Sequence, residues 1–167
     1  MSPQPKYRLE PVLEQKERAK KDAEKALAAA RQAMEEEERK KEQLEKEKAA
    51  LNERIEATKV KRDQKAMEGS LSVKESQQYK IFINGLTDQR KEVDLKIFKQ
   101  SKAVERAAEA VEKAKTELVR CAKEHEAMAK HKEQWLNQLK LEEQKKEQKL
   151  MEEIGMIQFM RRKGENQ

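Results

Sequence analysis

Residues that break helices are scarce in this chain of 167 residues. All three prolines, Pro3, Pro5 and Pro11, lie within the first eleven residues, and the four glycines stand singly. Isolated glycines exclude a glycine-rich phosphate-binding loop, which gathers several of them in one short segment. Beyond Pro11, little in the sequence interrupts a helix.

Cysteine, aromatic residues and long apolar runs are also scarce. The lone Cys121 excludes an intramolecular disulfide framework and fits a reducing compartment. No apolar run approaches the roughly 18 residues of a membrane span, and the opening residues lack the apolar region of a secretory signal. We therefore expect a soluble cytoplasmic protein.

Charged residues dominate what remains. They make up 43% of the sequence, against 35% hydrophobic residues, which favours long coiled-coil helices or, alternatively, a disordered chain. The 39 basic and 33 acidic residues are interleaved, as is typical of a solvated helix face. A nucleic-acid-binding surface would gather its cations on one side, so we expect no nucleic-acid partner.

Hydrophobic periodicity favours the coiled coil over disorder. From residue 86 to residue 139, candidate core positions are spaced alternately four and three apart. They are Leu86, Arg90, Val93, Ile97, Gln100, Val104, Ala107, Val111, Ala114, Leu118, Cys121, His125, Met128, Lys132, Trp135 and Leu139. An earlier stretch repeats more weakly, at Leu13, Ala19, Ala23, Leu27, Ala30, Met34, Leu44, Leu51 and Ile55. Between residues 34 and 44 it offers no apolar residue, so the helix interface should be weak there.

Turn signals divide the chain into two helices. Pro11 suits the first turn of a helix, and Gly69 suits the left-handed position after a helix end. Ser72 and Glu75 form a capping box, in which each side chain accepts a hydrogen bond from the other residue's backbone N–H. We predict a single coiled-coil domain over residues 1–167, with a first helix over about 11–68, a turn over 69–72 and a second helix over about 73–163.

A short connection between two long helices favours antiparallel packing. If the turn centres near residue 70, residue i faces residue 140 − i, and the alanine-rich residues 26–33 meet the alanine-rich residues 107–114. Small residues on both sides allow two helices to approach closely. The predicted fold is therefore all-α, a long antiparallel two-helix coiled-coil hairpin with a C-terminal helical overhang. A parallel dimer of chains remains an alternative.

The same facing rule places the only tryptophan. Trp135 should lie at the end of the first helix, beside Tyr7, Leu9 and Val12. We interpret it as a clamp that holds the N-terminal tail on the second helix, just before the overhang begins.

The sequence contains no convincing catalytic or metal-binding constellation. Cys121 and His125 are four residues apart, a spacing at which two side chains can share a metal, but a zinc site needs three or four ligands. Both residues fall on core positions, so we expect a buried thiol and a core histidine. Because two paired helices offer no concave pocket, the sequence predicts no catalytic residue, no cofactor, no metal and no enzymatic activity.

Two surfaces are candidates for binding partners. Leu95 and Phe98 lie on one side of the second helix, at positions that face away from the first helix. The C-terminal overhang carries a stripe that the first helix does not reach, and an amphipathic helix without an internal partner should bind one or fray. The candidates there are Leu150, Ile154, Ile157, Phe159, Met160, Arg161, Arg162 and Lys163. Membrane-surface binding by this stripe is the alternative.

Three segments occur in order along the chain: YRLEPVLEQKERAKKDAEKAL, SVKESQQYKIFINGLTDQRKEV and KHKEQWLNQLKLEEQKKEQKLMEEI. Together they resemble the YscO/FliJ family of bacterial type III secretion and flagellar export, and most of all its YscO branch. The resemblance implies an antiparallel two-helix coiled coil that is similar to the central stalk subunit of F-type ATP synthases.

The resemblance also implies partners. It implies a stalk seated in the pore of the hexameric secretion ATPase, at the cytoplasmic face of the inner-membrane secretion apparatus, that contacts the export gate protein and export chaperones. Arg161, Arg162 and Lys163 would meet acidic groups in the pore. Leu95 and Phe98 would contact the gate. We expect a monomer in isolation, associated peripherally with a membrane complex. A structural coiled coil that self-associates into dimers or filaments is the alternative.

Overall fold

The computed structural model describes residues 5–166, which form two long helices, α1 (Glu10–Met67) and α2 (Val73–Glu165). Both helices begin and end within two residues of the predicted bounds, and the described residues contain no strand. The helices pack against each other, which confirms the all-α helical hairpin. In no part of residues 5–166 is a helix long and apolar enough to cross a membrane.

The turn between the helices follows the predicted local chemistry. Gly69 has a φ of 69°, which a residue without a Cβ adopts at little cost, and the N–H of Ser70 donates to the Lys65 carbonyl at 3.0 Å. At the start of α2, the N–H of Glu75 donates to the Ser72 hydroxyl at 3.2 Å, and the N–H of Ser72 donates to the Glu75 carboxylate at 3.1 Å. The capping box is therefore formed.

The chain forms two compact units, and the first of them is Glu24–Glu117. One core cluster of this unit consists of Leu51, Ile55, Ile83, Leu86 and Val93, with Ile97 packed against it, and Leu27 and Val111 are buried as well. Polar contacts beside this core fix the register, because Arg90 donates to the Asn52 side-chain oxygen at 3.2 Å and Lys48 lies 2.6 Å from Asp94. These contacts confirm antiparallel pairing, close to the predicted rule that residue i faces residue 140 − i.

The interruption predicted between residues 34 and 44 is filled by a polar contact. The Gln100 side-chain amide, at a core position of α2, donates to the Glu37 carbonyl at 2.8 Å and also to the Glu37 carboxylate. Lys40 lies 2.9 Å from the same carboxylate, and the hydrogen bonds from Lys40 and Gln100 lower the pKa of Glu37. The buried apolar cluster stops before this layer, and the weakness of the interface here stays a prediction.

The second unit joins the N-terminal residues through Ala23 with the residues from Leu118 onward. Tyr7, Ala23 and Cys121 are buried within it. Two ion pairs link α1 to α2, Lys16 with Glu124 at 2.8 Å and Glu10 with Lys132 at 2.7 Å. From residue 140 through residue 166 every residue is exposed, so the last part of α2 is helix without a covering partner.

The stability of the first unit should depend on Ile55, which at 3% is, with Val93, among the least exposed side chains of its core. We predict that Ile55→Ala lowers the free energy of unfolding by about 2–5 kcal/mol, because it removes buried methyl groups and leaves a cavity. Urea denaturation measures this change. Val60→Ala, at an exposed position five residues further along α1, is the matched control and should change stability by less than about 0.5 kcal/mol. Equal losses in both variants would contradict the assigned core.

The capping box should also make stability depend on pH. The Ser72 N–H, and after it Lys65 at 3.3 Å, hold the pKa of Glu75 below its ordinary value of 4.5. A lowered pKa stabilises the folded state above the unfolded-state value, and this contribution is lost as the pH falls through the folded-state value. Glu75→Gln should therefore lower Tm at neutral pH, and the difference from wild type should shrink below about pH 4.5. Thermal denaturation followed by circular dichroism would contradict this if the difference stayed constant with pH.

Candidate partner-binding surfaces

An aromatic cluster, formed by Tyr7, His131 and Trp135, closes the N-terminal end of the paired helices. The Tyr7 ring centroid lies 5.2 Å from that of Trp135, with the rings inclined at 49°, and 5.7 Å from that of His131, inclined at 44°. Such tilted arrangements are favourable for aromatic pairs. The sequence prediction that Trp135 lies beside Tyr7 is confirmed. Leu9, the second predicted neighbour, is exposed.

The contribution of His131 to this cluster was not predicted from the sequence. The Tyr7 hydroxyl and His131 Nδ1 form a short hydrogen bond that joins the N-terminal tail to α2. One residue further along α2, Lys132 also donates to the Glu10 carboxylate, so a ring contact and an ion pair hold the same part of the tail. The facing rule places Tyr7 opposite residue 133, between His131 and Trp135, and a search for polar partners around that position would have found His131.

A charged site also links α1 to α2, nearer to the turn along both helices than the aromatic cluster. Glu124 accepts a hydrogen bond from Lys16 at 2.8 Å and another from Arg120, four residues earlier on α2, at 2.7 Å. These two cations lower the pKa of Glu124, and the Lys16 hydrogen bond is the larger cause. Such ion pairs help to determine which residues of α1 and α2 lie opposite each other where polar residues interrupt the apolar core.

The predicted core residues Cys121 and His125 are where the sequence placed them. Cys121 is buried against α1, and His125 is half-buried. Among residues 5–166, no three His, Cys, Asp or Glu side chains converge as metal ligands would. The cavities along the described chain are open surface grooves, such as one of about 400 Å³ beside Tyr7 and Trp135.

The outer patch, formed by Leu95 and Phe98, faces away from α1 as predicted. These residues are 64% and 61% exposed. The Lys102 ammonium lies 4.7 Å from the centroid of the Phe98 ring, a cation–π contact that leaves the rest of the ring in contact with water. The exposure is confirmed, and the assignment of a partner to this patch stays a prediction.

The C-terminal segment, residues 140–166, presents the second candidate surface. All eight predicted residues are exposed: Leu150, Ile154, Ile157, Phe159, Met160, Arg161, Arg162 and Lys163. Met156, which is not among the predicted residues, is also exposed and adds to the apolar surface near the helix end. The segment therefore combines an apolar surface between residues 150 and 160 with a cationic helix terminus.

Comparisons with known proteins agree with this architecture. The model of the YscO-like protein family matches residues 4–165. A solved structure of a candidate YscO homolog from Chlamydia trachomatis is similar to this chain, with a TM-score of 0.78 and 27% sequence identity. The similarity covers 95% of this chain and 98% of the chlamydial chain. A comparison with curated protein sequences finds no significant match.

The aromatic cluster should hold the N-terminal tail. We predict that Trp135→Ala increases hydrogen exchange across residues 7–20, with a local loss of about 2 kcal/mol, because a half-buried ring contributes less than the roughly 3–5 kcal/mol of a fully buried one. Tyr7→Phe keeps the ring contact and removes only the hydroxyl, so its effect should be smaller. Leu136→Ala, at the exposed neighbouring position, is the control. Unchanged exchange in the Trp135 variant would exclude the clamp.

Proposed function

This protein belongs to the YscO-like family, which is associated with type III secretion, and on that premise we propose that it is a stalk component of a type III secretion export apparatus. In this role it seats in the hexameric secretion ATPase and links the ATPase to the export gate protein and export chaperones. Its family and fold are those of a secretion-associated structural protein rather than of a catalyst.

The observation that carries this proposal is the uncovered C-terminal segment. A helix in water is stabilised mainly by packing its apolar face, and here α1 supplies none of that packing. Leu150, Ile154 and Ile157 recur at intervals of four and three residues, which places them along one side of α2. A stripe of this kind fits a binding mode in which an amphipathic helix inserts into an apolar groove or pore.

The charge at the end of the segment supports a partner with an acidic lining. Arg161, Arg162 and Lys163 follow the apolar stripe and are exposed. They lie in the last turns of α2, where cations also interact favourably with the helix dipole. Steering by these three charges would speed the encounter with an acidic pore, and Ile154, Ile157 and Phe159 would then provide apolar contact.

The outer patch is the corresponding candidate for the export gate protein. Leu95 and Phe98 lie on α2 within the other compact unit, so the two candidate surfaces can be altered separately. A contact there would place the protein peripherally at the cytoplasmic face of the membrane apparatus. Export chaperones are the third proposed partner, and neither surface is assigned to them.

Self-association is a second function that the exposed apolar stripe favours. Two copies could cover their C-terminal segments by packing them together, as in a coiled-coil scaffold. Light scattering distinguishes the two functions, since the stalk is expected to be a monomer in isolation and the scaffold an oligomer whose mass rises with concentration.

The stalk proposal predicts that the C-terminal segment acts on the ATPase. With purified cognate ATPase, the wild-type protein should increase hexamer formation and ATP hydrolysis. Leu150→Ser/Ile154→Ser/Ile157→Ser should reduce this effect by roughly tenfold or more, because three apolar contacts are lost. Gln148→Ala/Glu152→Ala, on the same segment outside the stripe, is the matched control and should retain the effect.

A truncation after residue 145 extends the test to secretion. It removes the stripe and leaves every described contact between α1 and α2 in place, so loss of secretion would not result from unfolding of the paired helices. If the full-length protein changes neither ATPase hydrolysis nor hexamer formation, and the truncated protein supports normal secretion, the stalk role is wrong.

A further inference from the structure

The turn end, residues 58–82, holds the most exposed large apolar side chains of the described chain. Met67, Val73 and Ile81 are 89%, 79% and 72% exposed, above every other large hydrophobic residue in the described range 5–166. Val60 and Phe82 in the same segment are also exposed. None of these five residues belongs to the outer patch or to the C-terminal segment, and the proposed function uses none of them. Phe82 has the Arg54 guanidinium 5.9 Å from its ring centroid.

These side chains do not lie on the sides of α1 and α2 that pack against each other. Val60 and Met67 are seven residues apart and lie on one side of α1, away from α2. Val73 and Ile81 lie on the side of α2 that faces away from α1. The apolar side chains therefore project from both outer sides of the turn end, whereas the buried residues Ile55 and Ile83 belong to the core that begins just beyond it.

The charge of the turn end is positive. It contains six basic residues and three acidic ones. Three of the basic residues have acidic partners: Lys59 with Glu56, Arg62 with Asp63, and Lys65 with Glu75. Lys61, Lys74 and Lys80 are exposed and show no acidic partner within the described residues. In the turn end, Glu68 is the one acidic residue that is likewise exposed and shows no basic partner within the described residues. The unpaired charge thus favours an anionic partner.

We propose that the turn end binds the anionic surface of a lipid bilayer. In this arrangement Met67 and Val73 enter the interfacial layer, and Val60 and Ile81 follow at the level of the headgroups. Lys61, Lys74 and Lys80 neutralise lipid phosphates. Val60 and Ile81 lie seven or eight residues from the turn, or about 10–12 Å along their helices, and interfacial segments enter the bilayer by roughly 5–10 Å, so these two residues stay at the headgroups when the turn is inserted.

Geometry favours a bilayer over an acidic protein segment. A partner helix contacts apolar residues along one stripe, at intervals of three and four residues. The exposed residues here point to opposite sides of the turn end, so one helix cannot cover them together. A fluid interface surrounds an inserted tip and reaches every side. The backbone at the turn is already hydrogen-bonded through Gly69, Ser70 and the capping box, so insertion into the bilayer leaves few backbone polar groups without a hydrogen bond.

Sedimentation with lipid vesicles tests this proposal on the full-length protein, without the ATPase. The protein should bind vesicles of phosphatidylcholine with added phosphatidylglycerol, should not bind vesicles of phosphatidylcholine alone, and should dissociate as the salt concentration rises. Met67→Ser/Val73→Ser/Ile81→Ser should weaken binding by roughly tenfold or more. Lys61→Gln/Lys74→Gln/Lys80→Gln should weaken it similarly and reduce its salt dependence, which keeps the test valid if the serine variant folds poorly.

The matched control carries Val119→Ser/Leu141→Ser, two exposed apolar residues outside the turn end, and should bind vesicles like the wild type. Equal binding to both vesicle types, or no binding at low salt, would overturn the proposal. So would lipid binding that the turn-end variants retain. If the wild-type protein does not bind vesicles, and the serine variant loses binding to a protein of the secretion apparatus, the turn end binds a protein partner and the lipid assignment is wrong.

Discussion

The register between α1 and α2 is the constraint on which the rest of this structure depends. It is set where the chain reverses, because Gly69 ends α1 in the left-handed conformation and the box of Ser72 and Glu75 starts α2 three residues later. Once the turn is fixed, each residue of α1 has a determined neighbour on α2. Lys65 meets Glu75 in one compact unit, and Glu10 meets Lys132 in the other, and both pairs lie within two residues of the rule that residue i faces residue 140 − i.

The unequal lengths of the helices leave the end of α2 without a partner on α1. α1 has 58 residues and α2 has 93, so the last turns of α2 cannot find a partner on α1. In an ordinary globular protein such a stretch would be polar, whereas here it carries Leu150, Ile154 and Ile157. The unmatched length thus carries an apolar stripe that α1 does not cover, which is the kind of surface that the proposed insertion into the ATPase ring requires.

Much of the fold could be predicted from the sequence because it depends on local features, namely the spacing of core residues and the residues that form the turn. Four-and-three spacing located the α2 core from Leu86 to Leu139, and all of those positions are buried or half-buried. The turn followed from Gly69 and the capping box, and the meeting of Tyr7 with Trp135 followed from counting outward from that turn. The exposure of Leu95 and Phe98 was a consequence of the same periodicity.

What sequence reasoning missed depends on side-chain reach rather than on spacing. The bond between Tyr7 and His131, and the position of Lys102 over Phe98, require rotamers that periodicity does not determine. The gap near Glu37 was recognised, but the amide of Gln100 that fills it comes from the other helix. The exposure of Met67 and Ile81 was not predicted, because both lie outside the four-and-three spacing that located the core.

The most direct test of the central claim is photo-crosslinking from the C-terminal segment to the assembled secretion ATPase. A photoreactive amino acid placed at Ile157 should crosslink to the ATPase subunits in a complex formed from the full-length protein. The same group placed at Val119, an exposed position on α2 outside the segment, should crosslink far less. Crosslinking from Val119 with none from Ile157 would contradict the account, because the ATPase would then contact the paired helices and leave the uncovered helix free.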